Sequence, residues 1–354
     1  MNTHIEQLSR TLGTLYGSYG YRMYTMSKFE EYGLYLRNKD FLISDRILTF
    51  TDTDGKLMAL KPDVTLSIIK NTRPTPNGVE KMFYRETVYR PGNAGFREIT
   101  QVGLECMGAV DDYCILEVLL LAVKSLRAID RSFVLDISHM GLLSLLLDRY
   151  GLEGETRSKV TEAIGSKNIH AIRTLCGSGG EDLCDLVRLS GKPAQVLPGL
   201  KNIFGTAPQL VQLQKLVAAL ESAGCEGINI DFSVVNDMRY YNGIVFRGFV
   251  EGVPTGVLSG GQYDAMMANM GRPDKAIGFA IYPELLERLE AAPTQNATDA
   301  VLLYPVDADL TALCKAAEEL NGRGMTVKVL PEGSPLPACK AFYKLEGNEV
   351  KEYA

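Results

Sequence analysis

Lys81–Arg90 and Glu98–Met107 both alternate between apolar and polar residues, and Pro91-Gly-Asn-Ala-Gly separates them. A period of two commits each segment to a strand, and a proline with two glycines marks the break as a loop. The pair predicts an antiparallel hairpin with a glycine-rich tip. A second, shorter hairpin is predicted where Ile47-Leu-Thr-Phe stops at Asp52-Thr-Asp-Gly and Lys56-Leu-Met-Ala-Leu resumes.

Helical periodicity surrounds these strands. Ile5, Leu8, Leu12 and Leu15 predict an opening amphipathic helix over 5–18, and Cys114–Ile129 predicts a helix buried on much of its surface. Phe133–Ile137 reads as a short strand and Gly141–Tyr150 as a helix. Residues 153–223 then carry several short amphipathic helices and almost no strand signal, the last ending at Gly224 as a C-cap. Strands are predicted again at Ile228–Val234, Tyr240–Gly248 and Ala276–Ile281, followed by a helix over Pro283–Leu289. An all-helical block between two β-rich blocks reads as an insertion of about 153–223 into a core spanning 1–290. Residues 291–299 form a linker, and 300–354 read strand, helix, strand: a small α/β unit that stops early.

Composition excludes several classes of function. The chain of 354 residues carries a net charge of −6, which argues against holding nucleic acid by bulk charge. The apolar stretch Ile115–Val123 is interrupted by Glu117 and is too short to span a bilayer. No signal peptide is evident, so a cytoplasmic protein is expected. The 7 cysteines are scattered without a C-x-x-C and read as reduced thiols; with the 3 histidines they show no metal-ligand spacing. No Walker loop, G-x-G-x-x-G or G-x-S-x-G is present.

Four stretches gather polar and aromatic residues beside backbone-adapting glycine or proline. In Leu60-Lys-Pro-Asp-Val-Thr, Asp63 and Thr65 would share a strand face and could together grip an ammonium group; on this stretch alone, a helix cap with Thr65 as N-cap is the simpler reading. Arg97, Gln101 and Glu105 share parity after Arg90, and on spacing alone they describe a solvent face. Tyr240-Tyr241, before Asn242-Gly243, could pack in a core or wall a ligand. Gly260-Gly261, ahead of Gln262-Tyr263-Asp264, permits close approach to a ligand or merely a bend in a strand.

Taken together and in order, these stretches resemble the catalytic core of histidyl-tRNA synthetase, a class II aminoacyl-tRNA synthetase, from about residue 5 to 290. Leu60-Lys-Pro-Asp-Val-Thr is similar to that family's L-R-P-(D/E)-x-T, Tyr89–Glu105 to motif 2 with its following Q-x-G-x-E, and Tyr240–Phe246 to D-Y-Y-x-x-x-V-F. Gly260-Gly-Gln-Tyr-Asp is similar to G-G-R-Y-D, and Ala276–Ile281 to the start of motif 3. The resemblance implies an α+β fold, an antiparallel sheet flanked by helices, with a homodimeric core. It also implies a pocket in which Asp63, Thr65, Arg90, Arg97, Gln101, Glu105, Tyr240, Tyr241 and Tyr263 face a histidine-like ligand.

The departures from the family pattern fall chiefly at the ATP end, with one, at Gln262, at the amino-acid end. Tyr282 and Leu285 stand at motif 3 positions for glycine and arginine, and Arg288 lies three residues late. Asn236 stands for a second arginine, Arg239 for an aspartate, Gly95 for a motif 2 arginine and Gln262 for the arginine of G-G-R-Y-D. Losing one preorganised donor to the developing negative charge costs about 10²–10³ in rate, so a non-catalytic chain is expected, with neither catalytic residues nor cofactor. The pattern resembles the regulatory-subunit family of ATP phosphoribosyltransferase in histidine biosynthesis, synthetase paralogues that partner the short-form catalytic subunit. Histidine is then the implied ligand, with no tRNA or membrane partner. The C-terminal unit looks like the first half of an anticodon-binding domain. The alternative is a diverged synthetase-like enzyme that still activates an amino acid with ATP.

Overall fold

In the computed structural model, which describes residues 3–42, 46–73, 78–92, 95–177, 180–234, 240–288, 298–337, 339–347 and 349–353, the alternation at 81–107 becomes the longest hairpin of the molecule. Helix α1 (Thr3–Ser18), strands β1 (Arg22–Met23) and β2 (Phe29–Glu31), helix α2 (Tyr32–Arg37) and the hairpin strands β3 (Thr49–Thr51) and β4 (Leu57–Leu60) precede it. Helix α3 (Val64–Asn71) leads into β5 (Val79–Gly92) and β6 (Gly95–Gly108), then α4 (Asp112–Ile129) and β7 (Phe133–His139).

The helical block comprises α5 (Met140–Arg149), α6 (Gly154–Gly165), α7 (Ile169–Cys176), α8 (Glu181–Arg188), α9 (Pro193–Phe204) and α10 (Pro208–Ser222), with the two-residue β8 (Ser190–Gly191) among them. Strands β9 (Ile228–Asp231), β10 (Ile244–Val250) and β11 (Leu258–Gln262), helix α11 (Asp264–Asn269), strand β12 (Lys275–Ile281) and a 3₁₀ turn over Pro283–Arg288 follow. The turn stands where an α-helix is predicted.

Nine strands join in one sheet in the order β1-β5-β6-β12-β11-β10-β7-β9-β8. Its pairings are antiparallel apart from β1 with β5 and β7 with β9. The sheet is mixed but antiparallel-rich and flanked by helices, the architecture expected from the sequence. One face carries the main core: Leu104 of β6 and Ile277 and Phe279 of β12 pack with Leu12 and Tyr16 of α1 and with Val118 and Ala122 of α4. The helical block is continuous with that core through Leu142, Leu213 and Leu216. The opposite face carries a smaller cluster, including Tyr35, Leu66, Ile69, Met82 and Tyr263.

Three local expectations are corrected. The predicted loop Pro91–Gly95 is mostly ladder, since pairing continues through Pro91 opposite Phe96 and Gly92 opposite Gly95. β1 pairs only with Met82 and Phe83, so the far half of β5 is an edge, where a proline's missing N–H removes no ladder bond. The N-cap of α3 is Asp63, not Thr65: the Asp63 backbone is extended and its Oδ1 accepts from Leu66 N at 2.9 Å. The strand predicted from Tyr240 begins at Ile244.

The chain divides into two compact units, 1–289 and 290–354. In the second, β13 (Ala300–Tyr304), α12 (Leu310–Gly322) and β14 (Val327–Pro331) match the predicted strand, helix and strand. Two more strands, β15 (Ala341–Glu346) and β16 (Glu349–Glu352), extend the sheet to the order β14-β13-β15-β16. Lys344, Glu346, Glu349, Lys351 and Glu352 hide those strands from a hydrophobic-pattern reading. Most of the predicted linker lies outside the described residues.

Candidate functional site

Strand alternation prepares a cavity on the smaller-cluster face. Val102, Leu104 and Cys106 of β6 point into the main core, so Gln101, Gly103 and Glu105 point the other way. On β12 the same parity sends Gly278 and Ala280 to that face. The register sets Gly278 opposite Glu105, Ala280 opposite Gly103 and Ser259 of β11 opposite Ala280. Small residues on three adjacent strands leave a floor on which large polar side chains can lie. A Cβ on Gly278 would sit 1.8 Å from Glu105 Oε2, and one on Gly103 would sit 2.6 Å from the Tyr84 hydroxyl.

The resulting cavity has a volume of about 380 Å³, within the usual range for a small-molecule site. Eight of the nine residues read from the sequence line it: Asp63, Thr65, Arg90, Gln101, Glu105, Tyr240, Tyr241 and Tyr263. They come from the β4–α3 connection and first turn of α3, both arms of the long hairpin, the approach to β10 and the residue following β11. Arg97 does not line it. Arg97 pairs opposite Arg90 near the tip of the hairpin, is exposed, and folds its side chain over Gly92. Shared parity with Gln101 and Glu105 is not enough, because Arg97 lies four residues further toward the hairpin tip than Gln101, well past the part of β6 that β12 covers, Val102–Gly108.

Glu105 is the centre of the hydrogen bonding. Thr65 Oγ1 donates to its Oε1 at 3.0 Å and the Tyr263 hydroxyl to its Oε2 at 2.6 Å. Burial pushes its carboxyl up to about 8, against the pull of those two bonds, and the nearby Asp63 charge adds to the rise. Burial likewise raises Asp63, opposed chiefly by the Arg90 guanidinium, whose Nη2 stands 4.0 Å from Asp63 Oδ2. Arg90 also donates through Nε to Pro62 O at 2.9 Å. Tyr84, Tyr240, Tyr241 and Tyr263 are all raised by burial and remain phenols able to donate. Tyr240 lies 4.5 Å from Tyr241, 6.0 Å from Tyr263 and 6.5 Å from Phe41 between ring centroids. The lining therefore offers two carboxyl groups, several phenols and an aromatic wall, with Arg90 the only cationic side chain among the described lining residues. That set suits a ligand carrying an ammonium group and a flat polar ring.

Sequence reasoning missed Phe41, Tyr84 and Ser259 as lining residues, and gave Tyr282 no place in the pocket. Phe41 belongs to no motif, while Tyr84 and Ser259 reveal themselves only through register. Tyr282 lines the cavity, whereas Leu285 packs against the main core. Gln262 turns away from the cavity: its Oε1 accepts from Ile244 N at 2.8 Å and crowds against Gly243. Arg247 also turns aside, over Gly256 and the Phe249 ring. Asn236 and Arg239 lie outside the described residues, as does the Arg288 side chain. Among the described residues no cluster of His, Cys, Asp or Glu could hold a metal ion, and no helix is long and apolar enough to cross a membrane.

A broad antiparallel-rich sheet with a polar, amino-acid-sized cavity on one face defines the core of a class II aminoacyl-tRNA synthetase. The chain belongs to the histidyl-tRNA synthetase family, whose model matches residues 2–286. The ATP phosphoribosyltransferase regulatory subunit of Moorella thermoacetica is 29% identical over 349 residues, covering 91% of this chain and 87% of that one. The histidine–tRNA ligase of Methanosarcina acetivorans is 28% identical over 320 residues, covering 86% and 76%. Among solved structures, an ATP phosphoribosyltransferase regulatory subunit/histidyl-tRNA synthetase from Bacillus halodurans has a TM-score of 0.77 at 23% identity, covering 94% and 90%. An ATP phosphoribosyl transferase (HisG:HisZ) complex from Thermotoga maritima has a TM-score of 0.64 at 20% identity, covering 78% and 96%. At those identities the two structures establish the fold.

Proposed function

We propose that this chain is a non-catalytic regulatory subunit of ATP phosphoribosyltransferase, which supports a short-form catalytic subunit and binds histidine in the cavity. The observation that carries the reading is the imbalance of the lining. Asp63, Thr65, Glu105 and the tyrosines furnish a grip for an ammonium and an imidazole. Against them stands, among the described lining residues, one guanidinium, Arg90, where a triphosphate would require several cations. Tyr282 and Leu285 at positions for glycine and arginine support the same reading, as do the names of the relatives. Self-association is part of it, supported by Phe29 and Phe50, exposed and packed edge-to-face at 5.5 Å on one face of the three-stranded sheet β2-β4-β3.

The test mixes this protein with the short-form catalytic subunit and follows phosphoribosyl-ATP formation, with and without histidine. Activity that rises in the mixture and falls with histidine is expected. No change in rate and no co-elution would remove the partner. The second reading, a synthetase-like enzyme, is favoured by the retained Arg90 and by the ligase relative; histidine-dependent ATP–pyrophosphate exchange above background would establish it in place of the first.

A further inference from the structure

Asp63 is one of the two carboxylates in the cavity, yet it stands on a connection, residues 61–63, that is neither strand nor helix. Backbone bonds hold that connection at two points: Lys61 N donates to Lys28 O at 3.0 Å, and Tyr89 N donates to Lys61 O at 2.9 Å. Arg90 Nε adds a side-chain tie to Pro62 O at 2.9 Å, and a further tie is the Lys61 side chain, which is fully buried. Its Nζ donates to Glu86 Oε2 at 2.8 Å, and Glu86 Oε1 accepts from Met26 N at 3.1 Å. One ammonium therefore joins the Asp63 connection to β5, the strand that also carries Arg90 and, through Gln101 opposite Glu86, pairs with the cavity floor.

An ion pair buried this deeply is poor evidence of stability, because apolar residues of similar volume often do as well or better. What it supplies is direction. A lysine with one carboxylate partner inside a packed interior holds the backbone it stands on at a set distance from that partner. Asp63 is two residues further along, and its carboxylate has to meet the cavity beside Arg90. Lys61 also acts through charge: with Arg90 it opposes the burial that drives Asp63 toward its neutral form. Neither Lys61 nor Glu86 lines the cavity.

We infer that Lys61 and Glu86 are a positioning pair that sets ligand choice, holding Asp63 in place so that the cavity selects ligands bearing an ammonium group. The inference rests on the histidine reading above. Selection for the ammonium then depends on two residues that never touch it, while the imbalance between Asp63 and the ring-binding end decides what else is admitted.

The experiment compares histidine with 3-(imidazol-4-yl)propionate, which keeps the ring and carboxylate and lacks the ammonium, by calorimetry on the full chain. Lys61→Met should weaken histidine binding about tenfold or more and leave the propionate within about twofold. Lys61→Arg should restore histidine binding. Because Lys61→Met leaves Glu86 buried and unpaired, the double variant Lys61→Met/Glu86→Leu is measured beside it; folded and well packed, it should show the same selective loss. Equal loss for both ligands in a folded variant, or no loss for either, would overturn the positioning role. Wild-type protein that binds neither compound would overturn the histidine reading and this inference with it.

Discussion

At the residue scale the cavity turns on a carboxylate that water would ionise freely and burial does not. Glu105 titrates at about 8 in the folded chain against an ordinary 4.5. Between those values the folded state keeps a proton that the unfolded state has shed. Stability from this group is therefore complete below about pH 4.5, falls as pH rises and levels off above about 8. At about 1.4 kcal/mol per pH unit the loss is at most ~5 kcal/mol. Glu105→Gln keeps the shape without the charge. The variant should melt higher than wild type at pH 9, with the difference vanishing near pH 4.5, while histidine binding is lost; an unchanged gap across that range in thermal scans would refute the assignment. Gly278→Ala addresses the same atom from the opposite strand. The added methyl displaces Glu105, and a drop in histidine affinity of at least about tenfold is expected by calorimetry. Retained affinity would show that Glu105 relocates without cost. Glu105 and its tyrosines were legible as motif residues. That Gly278 had to be glycine was not, since the reason is a side chain 173 positions earlier in the sequence.

At the element scale, helix α3 shows how a short segment is held from both ends. Its N-terminus is capped by Asp63, and the Thr65 hydroxyl is thereby released to Glu105. Its C-terminal carbonyls are gathered by a residue far along the chain. Arg272 Nη1 donates to Ile69 O and Thr72 O, Nη2 to Arg73 O, and Nε and Nη2 to Asp274 Oδ2 at 2.9 and 2.6 Å. An eight-residue helix is too short to persist by propensity, so these ties place its N-terminal turn, and with it Asp63 and Thr65, against the sheet. Arg272→Met removes the guanidinium from a buried carboxylate and from three carbonyls. A loss of about 3–5 kcal/mol is expected from urea unfolding, with Arg272→Met/Asp274→Asn losing less. Equal losses in the single and double variants would show that the carbonyl contacts, not the ion pair, carry the effect. Local pattern suggested a cap in this stretch, but not which residue supplies it. The choice follows from Glu105 competing for the Thr65 hydroxyl.

At the scale of the whole molecule the two units have separate cores. The second rests on Leu302, Ala312, Ala316, Leu320 and Leu345, none of which belongs to the clusters around the main sheet. Every described residue lining the cavity lies before 289. A chain ending at Leu289 should therefore keep its secondary structure by circular dichroism and bind histidine within about twofold of the full chain. A truncated chain that folds and fails to bind would assign the second unit a part in the site.

The sequence by itself determined what depends on near neighbours. The two arms of the long hairpin, the buried α4, the helical block and the first three elements of the second unit follow from periodicity, because the side-chain spacing of a strand or helix is set by its own backbone. The pocket residues were readable as a family pattern for the same local reason, each motif being a few residues long. Tertiary structure alone decided which of them meet. Arg97 has the parity of Gln101 and Glu105 and still lies outside, since it stands out toward the hairpin tip. Gln262 occupies a pocket position and turns to a backbone amide instead. Asp63 and Glu105 acquire raised pKa values only because strands, helix and tyrosines from distant segments close over them. Register between strands and exclusion of water belong to the packed whole, and no segment carries them alone.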